Sequence, residues 1–214
     1  MLIDLVIFDM DGVLFEGENF WLELHKQYGT EKPGLELAGR YLTSDYDTLA
    51  TLVAKDLWQG KPAAVYYSMV KDRIYQPGVR ELFDYLKQED ILSAILSSGP
   101  YDLALRAQAD LGIDAVWANR LSIEDGQLTG GVEVMVRDYQ KQDVGRNVIS
   151  RFETTPYQTA FVADSDADVG LAEIVGLPVA YNSESETLNR VCTYVLKYGE
   201  LHRLIGILQS QNTA

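Results

Sequence analysis

Leu2-Ile3-Asp4-Leu5-Val6-Ile7-Phe8-Asp9-Met10-Asp11-Gly12-Val13 is an apolar run that ends abruptly in two carboxylates and a glycine. Leu2–Phe8 is nearly continuous in apolar residues, the pattern of a strand covered on both faces, as in a parallel sheet. Ile91–Leu96, Ala115–Trp117, Thr159–Ala163 and Val179–Tyr181 read the same way. Helical patterns separate them. Pro77-Gly78 precedes Val79, Leu82, Phe83 and Leu86, an apolar face of 3.6-residue period with Pro near its start, and Leu103–Leu111 and Val144–Phe152 look similar. Strand and helix in alternation predict an α/β fold with a Rossmann-like, doubly wound parallel sheet.

Two segments break the alternation. Glu18–Tyr75 is helical by pattern, with Trp21, Leu22, Leu24 and Tyr28 on one face and Leu49, Leu52, Val53 and Leu57 on another. Inserted after the first strand, it predicts a small helical cap above the carboxyl ends of the strands. The expected division is a core of residues 1–15 and 76–214 and a cap of residues 16–75. Leu121–Val136 carries Asp125-Gly126 between two strand-like runs, which predicts a β-hairpin. Thr193–Leu196 reads as an edge strand, and Gln209–Ala214 as a frayed terminus.

Composition narrows the partners. The 214 residues carry a formal charge of −14, so the surface repels polyanions and offers nucleic acid no electrostatic footprint. No apolar run approaches the ~20 residues that span a bilayer, so no membrane partner is expected. Cys192 is the single cysteine, which excludes an intramolecular disulfide and suits a reducing compartment. With no basic flank or small-residue cleavage site at the N-terminus, the expectation is a cytoplasmic protein. An anionic substrate on so acidic a chain requires a locally positive site, built from a metal ion, a lysine and backbone N–H groups.

The polar residues that can build it collect at the ends of the predicted strands, where open α/β sheets bind ligands. These are Asp9 and Asp11 after the first strand, Ser97-Ser98-Gly99 after the second, Lys141 at a helix start, and Asp164, Asp166 and Asp168 after the fourth. Alone, each has a bland reading: Asp9 as a helix N-cap, Ser97 and Ser98 as a cap and turn, Lys141 as a surface lysine, and the last three as a solvated acidic turn. Together they complement one another. Carboxylates at two strand ends can share Mg²⁺, a carboxylate can act as a nucleophile toward phosphorus, and a second carboxyl can move the proton. Ser97 and Lys141 can bind phosphoryl oxygens.

Asp9-Met10-Asp11-Gly12-Val13 after an apolar strand resembles the first motif of the haloacid-dehalogenase-like hydrolases. Ser97, Lys141 and Asp164…Asp168 match the remaining motifs in order, so the resemblance covers essentially the whole chain. Within that superfamily the chain is most similar to the phosphoserine phosphatase branch, through Ala118-Asn119-Arg120-Leu121, Asp125-Gly126-Gln127-Leu128-Thr129-Gly130 and Ser97-Ser98-Gly99. The resemblance implies a Mg²⁺-dependent phosphatase of a small phosphorylated metabolite. Asp9 is then the nucleophile and Asp11 the acid and base. Asp9, the Asp11 backbone carbonyl and Asp164 hold Mg²⁺, while Ser97, Ser98, Gly99 and Lys141 bind the phosphoryl group and Asp168 supports the metal shell or the lysine. Asp11 argues for phosphate esters over carbon–halogen substrates, because the dehalogenase branch lacks that acid.

Substrate choice follows less directly. Glu18, nine residues after Asp9, matches the cap-entry glutamate of phosphoserine phosphatases. Their substrate-binding cap arginine has no counterpart at Leu52-Val53-Ala54-Lys55; Lys55 lacks the bidentate fork, and Arg40 is a more distant candidate. Ala167 replaces an asparagine of the last motif. The rival expectations are a sugar phosphomutase and a non-catalytic binding module, while the cap-sized insert and the Asp9–Asp11 spacing speak against a receiver-type signalling domain. Trp21, Trp58, Tyr66 and Tyr67 read as cap core or as pocket lining. His25 and His202 lack metal-ligand spacing, and Cys192 reads as a small buried residue.

Overall fold

Leu5–Phe8 forms β1, and all four of its side chains are buried. Val6 and Phe8 pack into one apolar cluster and Leu5 and Ile7 into a second, so the strand is covered on both faces as its unbroken apolar run requires. The computed structural model describes Leu2–Asn212. After β1 come β2 (Leu92–Pro100), β3 (Ala115–Glu124), β4 (Gln127–Glu133), β5 (Thr159–Ala163), β6 (Leu177–Tyr181) and β7 (Tyr194–Leu196). They form one sheet in the order β4-β3-β2-β1-β5-β6-β7, parallel throughout except for the β3–β4 pair.

Helices α1 (Phe20–Tyr28), α2 (Glu31–Tyr41), α3 (Tyr46–Leu52) and α4 (Ala63–Asp72) lie between β1 and β2, with a π-helical stretch over Val53–Trp58. Then come α5 (Val79–Gln88), α6 (Tyr101–Leu111), α7 (Lys141–Arg151), α8 (Val169–Ala172), α9 (Glu186–Val191) and α10 (Arg203–Asn212). Residues of α5, α6 and α10 pack into the cluster of Val6 and Phe8, and residues of α7, α8 and α9 into that of Leu5 and Ile7. The doubly wound sheet with a helical insert after its first strand is therefore present.

Three boundaries differ from the sequence expectation. β2 runs through Ser97-Ser98-Gly99 to Pro100 instead of stopping at Leu96, with its register against β3 shifting between Leu96 and Pro100. β3 is not a short strand followed by a separate hairpin: it pairs parallel to β2 and then antiparallel to β4, turning at Asp125 (φ 48°) and Gly126 (φ 75°). Two consecutive positive φ values match the right-handed twist of the strands they join. Gln209–Asn212 is helical, and Asn212 Oδ1 accepts a hydrogen bond from the Ile3 amide at 2.8 Å, so the expected fraying does not hold there; Thr213 and Ala214 lie outside the described residues.

The buried residues of the helical insert, Phe20, Leu24, Val53 and Trp58 among them, join the cluster of Val6 and Phe8. Gly34 lets α2 approach α1 closely, since a β-carbon there would stand 2.5 Å from His25 Cε1. His25 is buried, its ring 4.6 Å from that of Trp58 and its Nδ1 2.8 Å from Thr30 Oγ1. Burial pushes the imidazole pKa down to about 4 from 6.5. The unfolded chain therefore takes up a proton below pH 6.5 that the fold refuses until about pH 4, and stability is lost as pH falls through that window. His25→Gln should flatten the loss. Between pH 7 and 5 the wild type is expected to lose on the order of 1–2 kcal/mol more than the variant in urea unfolding. Parallel losses in the two proteins would exclude His25 as the cause.

Candidate active site

Sheet order gathers the site. β1 is flanked by β2 and β5, with Phe8 in register with Ile95 on one side and Val162 on the other. Asp9 therefore emerges between Ser97 and Asp164, each two residues beyond its neighbour's register partner. The Asp9 amide donates to the Val162 carbonyl at 2.9 Å, and the chain then turns, with the Leu14 and Phe15 amides both donating to the Met10 carbonyl. Gly12 makes that turn possible. It has φ 76°, and a β-carbon there would stand 1.9 Å from Asp164 Oδ2.

Lys141, first residue of α7, reaches this point fully buried. Its Nζ lies 2.9 Å from Asp9 Oδ2 and 2.6 Å from Asp168 Oδ1. Asp168 is closed off further, its Oδ2 accepting from the Ser165 amide at 3.2 Å and the Ser165 hydroxyl at 2.9 Å. One carboxylate oxygen from each of Asp9, Asp164 and Asp168 falls within a 4.8 Å cluster. Burial pushes the Asp9 carboxyl up to about 7; Lys141 opposes the rise and Asp168 adds to it. Burial, then the charges of Asp9 and Asp168, hold Asp164 well above the ordinary carboxylate range. Burial disfavours the Lys141 charge, yet Asp168, Asp9 and Asp138 outweigh it and raise the ammonium above its usual range. Three carboxylates against one ammonium leave a negative excess that a hard divalent cation fits.

Asp11 is oriented differently. Its Oδ2 accepts from the Phe20 amide at 2.9 Å, and its Oδ1 lies 3.3 Å from Arg73 Nη2. Arg73 also binds Glu23 at 2.6 Å and the Glu18 carbonyl. The Asp11 side chain thus joins the start of α1 to the end of α4 and stands outside the three-carboxylate cluster. Burial raises its pKa despite the Phe20 N–H and Arg73. Ser97 and Asp11 nevertheless border one spot: a β-carbon at Gly99 would lie 3.2 Å from Ser97 Oγ and 3.6 Å from Asp11 Oδ2. The Gly99 amide donates to Ser97 Oγ at 3.1 Å.

This arrangement can present a carboxylate nucleophile beside a cation, a carboxyl able to carry a proton, and a hydroxyl. Residues 6–173 match the model of the haloacid dehalogenase-like hydrolases. The chain belongs to that family. A phosphoserine phosphatase of Idiomarina loihiensis is 27% identical over 208 residues, which cover 96% of this chain and 93% of that protein. One of Archaeoglobus fulgidus is 28% identical over 210 residues, and there the match spans only 60% of the relative's length. Among solved structures, a substrate-bound phosphoserine phosphatase complex aligns with a TM-score of 0.81 at 21% identity, covering 97% of this chain and 99% of that one. Within that family, the chain is similar in sequence to proteins named phosphoserine phosphatase.

Within this hydrolase, four residues considered for the site are placed away from its centre or turned aside. Ser98 gives its hydroxyl to Asp138 at 2.6 Å, and its carbonyl accepts from Trp21 Nε1 at 2.8 Å and Asn119 Nδ2 at 3.0 Å. It ties the cap and β3 to the end of β2 that carries Ser97. Glu18 is exposed, with its carboxylate paired to Lys26. Arg40 and Lys55 are exposed. Arg73 was not legible in the sequence, because nothing around Asp72-Arg73-Ile74 marks it as a partner for an acid 62 residues earlier. Asn119 was legible as part of a motif but not in its role. Its Oδ1 accepts from the Met135 and Val136 amides at 2.9 Å while its Nδ2 holds Ser98.

Proposed function

We propose that this hydrolase is a Mg²⁺-dependent phosphatase that cleaves a small phosphate monoester through an aspartyl-phosphate on Asp9. The observation that carries the reading is the placement of Asp9 between Lys141 and Asp164, beside Ser97 and Asp11. An Asp9 carboxylate oxygen attacks phosphorus while the ester oxygen leaves with the proton of Asp11. Asp11, now ionised, takes a proton from water. The resulting hydroxide attacks phosphorus and frees Asp9 and inorganic phosphate. Ser97 and Lys141 hold the phosphoryl oxygens throughout, the lysine neutralising their charge. Asp9, the Asp11 carbonyl and Asp164 would hold Mg²⁺, which when bound supplies charge neutralisation at the phosphoryl group. Asp168 supports this by fixing Lys141. The relatives' names make a phosphorylated amino acid one candidate substrate. A cytoplasmic setting has the lone thiol, Cys192, in its support.

The test is release of inorganic phosphate by the purified protein from a panel of phosphorylated amino acids, sugars, nucleotides and simple alkyl or aryl esters. Release is expected with Mg²⁺ and is expected to stop with EDTA and return when Mg²⁺ is restored in excess. No release from any ester with Mg²⁺ present would overturn the reading.

A further inference from the structure

The insert encloses a cavity of about 330 Å³ between α1, α2, α3 and the β3–β4 hairpin. Trp21, Ala38, Leu42, Leu49, Val53 and Trp58 form much of its wall. It adjoins the catalytic loops. Trp21, Asn119 and Asp138 all line it, and each is hydrogen-bonded to Ser98, the neighbour of Ser97. Asn19 and Trp21 line it as well, on either side of the Phe20 amide that holds Asp11. One end of the cavity is thus one hydrogen bond and one residue removed from both Ser97 and the proposed acid.

Its chemistry is apolar. No lysine or arginine among the described residues lines it. Its charged lining residue is Asp138, an acid already bonded to Ser98, and burial holds the His25 imidazole neutral at physiological pH. The Trp21 and Trp58 indole N–H groups donate to the Ser98 carbonyl and Thr30 Oγ1, and no lining residue among those described carries a buried polar side-chain atom without a partner. A carboxylate placed here would meet no counter-ion and one like charge, at a desolvation cost that nothing offsets. An alkyl or aryl group would meet complementary walls, in a space at the small end of small-molecule sites.

We infer that the cavity takes the apolar leaving group of the substrate, so that the favoured esters are monophosphates of uncharged alkyl or aryl alcohols and not phosphoserine. The inference rests on the phosphatase reading and specifies its substrate class. It is tested with ethyl, butyl and hexyl phosphate and phosphoserine, with Mg²⁺ present. kcat/KM is expected to rise about fourfold per methylene, the factor equivalent to ~0.8 kcal/mol per buried CH₂, until the cavity is filled. Hexyl phosphate should exceed phosphoserine. Ala38→Phe, which fills the cavity, should flatten the series. Binding is read independently as a change in tryptophan fluorescence from Trp21 and Trp58 on adding hexylphosphonate, larger than with ethylphosphonate. Turnover of all the esters with no dependence on chain length, or with phosphoserine preferred, would overturn this inference and leave the phosphatase reading standing. Turnover of none would overturn that reading first.

Discussion

Asp9→Asn is expected to lower phosphate release by on the order of 10⁴-fold or more while leaving the protein folded. An amide has the carboxylate's shape but lacks its nucleophilic oxygen, so the covalent step is lost rather than slowed by misplacement. The environment of Asp9 predicts what happens to stability. Its carboxyl is buried beside Asp168 and Asp164, and burial, with Asp168 adding to it and Lys141 opposing it, raises its pKa to about 7. Asn removes one member of a crowded acid cluster and can still accept a hydrogen bond from Lys141, 2.9 Å away in the wild type. Without added metal the variant should therefore melt at the wild-type temperature or above it. Phosphate release and a thermal melt on the same preparation decide the matter. Activity within about tenfold of wild type would remove Asp9 as nucleophile.

The parts of this site that were legible in the sequence are those fixed by local order. Asp9, Asp164 and Ser97 each follow an apolar run, and once the runs are parallel neighbours the residues after them must meet at one edge of the sheet. Lys141 opens a helix on the same face, and its position follows from the next crossover. Orientation was less accessible. Ser98 is adjacent to Ser97, yet strand alternation and the pull of Asp138 turn its hydroxyl elsewhere. Arg73 meets Asp11 only because a helical excursion of some sixty residues returns beside its own starting point, a closure that no local pattern encodes. The cavity escaped for the same reason. Trp21 and Trp58 read equally as core or as lining, and only the packing of α1 against the Val53–Trp58 stretch leaves space between them and the hairpin.

Lys141→Met should reduce activity by about 10³-fold, the scale of losing one charge-stabilising donor to a phosphoryl group, and should change how the protein responds to metal. Methionine nearly matches the length of lysine, so the space stays filled while the charge goes. In the wild type the ammonium sits against Asp9 and Asp168, and with Asp164 the four groups sum to −2 when ionised (three carboxylates, one ammonium). In the variant the sum is −3. Breaking a buried ion pair by removing one partner typically costs about 3–5 kcal/mol, because it strands the remaining charge. Asp9 and Asp164 already have raised pKa values, so part of that cost is relieved by proton uptake, and the metal-free variant should be less destabilised at pH 6 than at pH 8. A divalent cation should relieve it too. Saturating Mg²⁺ is therefore expected to raise the melting temperature of Lys141→Met by more than it raises that of the wild type, because binding to the folded state alone stabilises it by mass action and the variant's cluster attracts the cation more strongly. Equal shifts in the two proteins would mean that Mg²⁺ does not bind at Asp9 and Asp164 beside Lys141. An unchanged rate of phosphate release would show that Lys141 is a structural counter-ion and no part of the phosphoryl site.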